Sequence, residues 1–83
     1  MNFREYCESR GLDILRDDLK FIRVCLRMMP KNYRKSLLLL YVDKWLLGTA
    51  GEENVHLKQN SGRLAANSWL REVVVDNKEI IAN

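Results

Sequence analysis

Proline and histidine occur once each in this 83-residue chain, as Pro30 and His56, and cysteine only twice, as Cys7 and Cys25. One proline and four glycines exclude a collagen-like or low-complexity chain. Two widely separated cysteines and a lone histidine do not make a zinc ligand set, so no metal is expected. Both cysteines lie in apolar, helix-patterned surroundings. They read as reduced thiols in or near the core of an intracellular protein, with a Cys7 to Cys25 disulfide as the alternative. The apolar run from Leu37 to Val42 is far short of a membrane span, and the start of the chain, with Arg4, Glu5 and Glu8, lacks the apolar stretch of a secretory signal. A cytoplasmic location and no membrane partner are expected.

Catalytic signatures are scarce as well. Gly48 and Gly51 lack the lysine and the strand-to-helix setting of a phosphate loop. A nucleophile would need Cys7, Cys25 or a serine beside His56, and nothing in the sequence brings them together. Asp17 and Asp18 are adjacent, so on a helix they point about 100° apart and form no carboxylate dyad. Ion pairing with neighbouring Arg and Lys is their simpler role. Neither an enzyme activity nor a cofactor nor a small-molecule substrate is expected.

What is present is helical periodicity. Leu12, Leu15, Leu19, Ile22, Leu26 and Met29 alternate at steps of three and four, and Ile14, Phe21, Cys25 and Met28 add a second apolar line. This spacing predicts a helix from Leu12 to Met29 touched by two neighbours. Before it, Asn2 suits the cap of a short helix through Arg10, ended by Gly11 in a left-handed conformation. After it, Pro30 suits the first position of a second long helix to Leu47, carrying Tyr33, Leu37, Leu38, Leu40, Tyr41, Val42, Trp45 and Leu46. Gly48 to Gly51 mark the clearest break, and Glu52 and Glu53 suit the positive end of a third helix.

Val55, Gln59, Gly62, Ala66, Trp69 and Val73 keep the three-four spacing through Asn60, Ser61 and Gly62. That phase favours one helix from Glu52 to Val75 over a new start at Ser61. Gly62 in mid-helix costs about 1 kcal/mol against Ala, tolerable where Gly62 and Ala66 let a neighbouring backbone approach. Residues 76–83 form a frayed tail or dock Ile80 and Ile81 on the bundle; a hairpin pairing Val73 to Val75 with these isoleucines is the weaker alternative. The expectation is one all-α domain over residues 1–83, with three principal helices packed mainly antiparallel and a short N-terminal helix across them. Its predicted core is Leu15, Leu19, Ile22, Leu26, Leu37, Leu38, Tyr41, Val42, Trp45, Ala66, Trp69, Leu70 and Val73.

Fourteen Lys and Arg against eleven Asp and Glu leave a net charge of +3, and the cations are not spread evenly. Arg16, Lys20, Arg23 and Arg27 form a stripe at steps of four, three and four, continued across Pro30 by Lys31, Arg34 and Lys35. Cations at a helix start oppose its dipole, a cost that a bound anion would offset. The plain alternative is a solvated face balanced by Asp13, Asp17 and Asp18. A second polar line, His56, Asn60, Arg63, Asn67 and Arg71, offers side chains able to bond base edges or phosphates. A helix-turn-helix fails, because Lys44 and Lys58 stand where a small residue should precede Gly48 or Gly62. Leu57, Leu64 and Val75 lie opposite Ala66 and Trp69, and mark a line for self-association unless the chain's own ends cover it.

The leading expectation is a small non-catalytic interaction or adaptor protein, self-associating as a homodimer, whose basic corner meets an acidic protein partner. The alternative is DNA or RNA binding through the stripe and corner, assisted by the polar line.

Overall fold

Asn2 begins the first helix as its capping role predicts: its Oδ1 accepts the Glu5 N–H at 2.8 Å in the computed structural model, which describes the backbone of residues 1–82 and the side chains of residues 1–77. Helix α1 is Phe3–Ser9, and Gly11 follows with φ of +83°, the left-handed conformation that lacks a steric penalty only in glycine. The turn aims the chain back across the bundle and leaves Cys7 fully buried.

Helix α2 is Arg16–Arg27, one turn shorter at its start than the apolar spacing predicts. Leu12 to Leu15 are extended instead, so their side chains alternate. Leu12 and Ile14 are buried while Leu15 is 47% exposed, which removes Leu15 from the predicted core. The physical reason is the cap. Asp18 reaches back to accept the Leu15 N–H at 3.0 Å, and Asp17 and Asp18 occupy the first turn, where negative charge suits the helix dipole.

Pro30 lies outside the next helix rather than at its first position. It precedes a 3-10 turn, Lys31–Tyr33, and α3 is Arg34–Ala50. Gly48 is therefore inside α3, and the break falls at Gly51. Glu52 and Glu53 do not open a helix. Glu52 instead accepts from Asn54 N–H and the Ser61 hydroxyl, contacts that hold its carboxyl below the usual range. A second 3-10 turn, Val55–Leu57, leads into α4, Lys58–Ala82, which runs unbroken through Gly62. Lys58 Nζ donates to the carbonyls of Thr49 and Glu52, placing a cation at the negative end of α3. The helical backbone continues to Ala82, seven residues past the expected end at Val75, and leaves no hairpin; docking of Ile80 and Ile81 concerns side chains outside those described.

Helices α3 and α4 are antiparallel: Tyr41 meets Asn67, Trp45 meets Gln59 and Gly62, and Gly48 meets Ser61 and Ala65. A Cβ on Gly62 would stand 2.5 Å from Trp45 Cδ1, and one on Gly48 would stand 2.8 Å from the Ser61 carbonyl oxygen. The close approach predicted at Gly62 is real, and Gly48 is its counterpart across the crossing. Helix α2 runs parallel to α4, since Asp18 faces Arg63 and Asn67 while Phe21 lies under Arg71. The three long helices thus run up, down and up, with α1 against α2 and α3.

The core joins Cys7, Leu12, Ile14, Ile22, Cys25, Met29, Leu37, Tyr41, Val42, Trp45, Ala66, Leu70 and Val74, with Leu19, Leu26, Leu38, Trp69 and Val73 half-buried against it. Among the described residues no helix is long and apolar enough to cross a membrane.

Candidate functional site

The charged and polar side chains fall into two sets, divided by which side of α2 they occupy. The inner set centres on Asp18, only 4% exposed. Arg63 Nε donates to its Oδ2 at 2.9 Å and Asn67 Nδ2 to its Oδ1 at 3.2 Å; the Tyr41 hydroxyl in turn donates to Asn67 Oδ1 at 2.6 Å. The Arg63 guanidinium also donates to Asn60 Oδ1 and to the Asp13 carbonyl, and lies 5.0 Å over the Trp45 ring. One turn earlier, Gln59 Oε1 accepts from Asp13 N–H and Trp45 Nε1 while its Nε2 donates to the Gly11 carbonyl. Gln59 and Arg63, four residues apart along α4, therefore fasten the segment after Gly11 to the bundle, and Asn67, one turn further on, ties α4 to Asp18 of α2 and Tyr41 of α3.

This network redistributes the polar line expected from His56 to Arg71. His56 stands before α4, in the 3-10 turn, and is exposed; Asn60 is exposed and bonded to Arg63. Arg63 and Asn67 point inward, and the Arg71 guanidinium rests 5.5 Å over the Phe21 ring. The line does not form one outward face. Steps of four from Gln59 to Arg63 to Asn67 were visible in the sequence, but only the buried Asp18 says which way they point.

The outer set is the stripe. Arg16, Lys20, Arg23 and Arg27 lie within about 60° of arc on α2, and all four are exposed. Lys31 and Lys35 are exposed beyond the Pro30 corner; Arg34 is half-buried, its Nε donating to the Met29 carbonyl at 3.2 Å. Among the described residues none of the seven has a carboxylate within 4.0 Å. Of the three acids expected to balance them, Asp18 and Asp13 face Arg63 instead, while Asp17 is exposed in the first turn of α2 and, among the described residues, has no cation within 4.0 Å. Residues 16–35 hold seven cations and two carboxylates, a formal +5, so the rest of the chain, with seven cations and nine carboxylates, carries −2.

An apolar groove with two pockets borders this basic face, a feature that helical periodicity does not reveal. The larger pocket, about 310 Å³, lies between Phe3, Leu19, Ile22, Leu26 and Leu38, with Arg23 at its edge. The second, about 260 Å³, shares Phe3 and Leu38 and has Tyr6, Leu39 and Lys35 around it. On the far side of the molecule, Leu57, Leu64 and Val75 are all exposed, Leu64 by 70%. They fall within about 20° of arc by the helical period, although Leu57 sits in the preceding 3-10 turn.

Both thiols are buried. Burial pushes Cys7 up to about 11, with the Glu8 and Asp18 carboxylates adding to the effect, and burial raises Cys25 against the opposing pull of Arg71. Thiols held protonated in this way are poor nucleophiles and poor metal ligands. Among the described residues no cluster of three His, Cys, Asp or Glu is placed to hold a metal ion. Comparison with family models, with curated proteins and with solved structures finds no match to this chain, so what the site can do is read from its own geometry.

Proposed function

We propose that this chain is a small, non-catalytic interaction protein whose basic face on α2 and the Pro30 corner docks on an acidic surface of another protein. The observation that carries the reading is the unbalanced charge: six exposed cations with no carboxylate within 4.0 Å among the described residues, while Asp13 and Asp18 face Arg63. Leaving such a cluster unpaired costs self-repulsion, which an acidic partner relieves. The first turn of α3 contains no acid to offset Arg34 and Lys35, which adds to the attraction for an anion. A second copy docking on Leu57, Leu64 and Val75 is the accompanying proposal, supported by their exposure along one line.

Nucleic acid is the competing partner for the same cations. The inward turn of Arg63 and Asn67 removes two of the side chains that would have read bases. Fluorescence anisotropy separates the two, using labelled acidic peptide, mixed-sequence DNA and RNA at about 50 and 200 mM salt. The expected outcome is peptide binding that an Arg23, Arg27, Lys31 and Lys35 to Ala variant loses. Tighter, steeply salt-dependent binding of DNA or RNA would transfer the site to nucleic acid. For self-association, light scattering should give a mass above the 9.8 kDa of one chain that falls back when Leu57 and Leu64 become Glu.

A further inference from the structure

The groove beside the stripe has a shape and chemistry that charge alone does not require. Its two pockets share Phe3 and Leu38 in their walls, so they are neighbouring depressions on one face of the molecule. The walls are aliphatic and aromatic, while the edges carry Arg23 at one pocket and Lys35 at the other. Arg4, also at the first pocket, is already paired with Glu8 at 3.4 Å, so Arg23 and Lys35 are the unbalanced rim charges. Lys20 and Arg27 flank Arg23 on the same side of α2, and the stripe extends along a 12-residue helix, about 18 Å.

We infer that this groove seats one amphipathic helix of the acidic partner, with two apolar side chains entering the two pockets and a row of carboxylates lying along Arg16 to Arg27. The inference rests on the acidic-protein reading above and specifies the form in which that acid arrives. Helices that bind grooves present apolar anchors drawn from i, i+3, i+4 and i+7, and two such anchors serve two neighbouring pockets. A single lipid headgroup or free phosphate leaves most of a stripe of that length unpaired. A phosphodiester strand matches the stripe but brings no aliphatic anchor for the pockets.

The test uses a labelled 16-residue probe peptide with Leu at i, i+3 and i+7 and Glu on both flanks, against a scrambled peptide of identical composition and against polyglutamate. Anisotropy should show the amphipathic probe binding about tenfold or more tighter than its scramble, the scale expected for burying an aliphatic anchor. Leu39→Asp and Arg23→Glu change exposed residues and should each weaken the probe by about tenfold, with helical circular dichroism unchanged. Amide shifts should map to Phe3, Leu19 and Leu38.

Equal binding of probe and scramble, or shifts confined to Leu47 and Leu64, would overturn the groove while leaving an acidic-protein site intact. Failure of all three anionic probes at low salt would remove that broader reading as well. Binding to phosphatidylserine vesicles or duplex DNA that displaces the probe would replace the helix with those partners.

Discussion

Arg16 and Asp18 are two residues apart on the same helix and meet opposite fates. Asp18 is buried and receives three donors, from Leu15 N–H, Arg63 and Asn67. Arg16 is exposed, with no carboxylate within 4.0 Å among the described residues. The first arrangement is expensive to disturb, because a charge taken out of water is tolerable only while its partners remain. The second is cheap to disturb, because water already solvates it. A charged residue thus supports the fold where the chain supplies its partner and is free for another molecule where it does not.

The inner side should break hardest. Asp18→Ala leaves Arg63 beside Trp45 with only the exposed Asp13 carboxylate at 3.9 Å, and removes the acceptor of the Leu15 N–H and of Asn67 Nδ2. A loss of about 3–5 kcal/mol is expected, read as a lower urea midpoint. Since a domain has about 5–15 kcal/mol in total, the variant should stand near unfolding at room temperature. A cost under about 1 kcal/mol would place Asp18 with ordinary surface charges and erase the contrast.

Alkali probes the same side through Cys7. Its folded-state pKa is raised from 9.0 to about 11, so below pH 9 the thiol is neutral in both states and imposes no penalty. As the pH rises past 9 the unfolded chain ionises first, and stability falls until the folded thiol titrates near 11, by up to about 3 kcal/mol. Tyr41, raised by burial too, steepens the fall at higher pH. Cys7→Ala should flatten the part of the pH profile between 9 and 11 relative to the parent; identical slopes would show that the buried thiol does not report on this region.

The crossing of α3 and α4 gives the next effect. In an exposed helix, Gly62→Ala would stabilise by about 1 kcal/mol. Here the new Cβ meets Trp45, so overpacking should outweigh propensity and leave a net loss of about 1–3 kcal/mol in denaturant unfolding. Gly48→Ala should behave similarly, because its neighbours are the Ser61 carbonyl and Ala65 of the facing helix. Stabilisation in either variant would mean that the helices separate at little cost.

Helical period made most of the architecture legible. Asn2, Gly11 and the unbroken phase through Gly62 identified the first helix, its end and the continuity of the last. The boundaries failed where a tertiary or capping contact overrides periodicity. Leu12 and Leu15 fit the seam of α2, but Asp18 caps at Leu15 and draws the preceding residues into an extended segment. The paired acids Asp17 and Asp18 were the available signal for that start. Gly48 reads as a breaker by local propensity and is instead a packing surface, because its partner Gly62 is distant in sequence. Arg63 and Asn67 show the same limit: periodicity gives their phase on α4, and only the position of α2 decides that this phase is internal.

The outer side supplies the smallest effect on stability and the sharpest test of the contrast. Replacing Arg16, Arg23 and Arg27 together by Gln retains the stems that cover α2 while removing three positive charges from a region of formal +5. Each substitution should change stability by no more than about 0.5 kcal/mol, and their sum should lean toward stabilisation because mutual repulsion is relieved. That lean should shrink as salt is raised, since added ions screen exposed charges within about a Debye length. Asp18→Ala should keep most of its cost in the same salt, because its charges are shielded from solvent. A large loss of stability in the triple variant would mean that the stripe is structural after all, with partners inside this chain. A salt-sensitive gain, together with lost binding to an acidic probe, would identify it as a surface whose partner is another molecule.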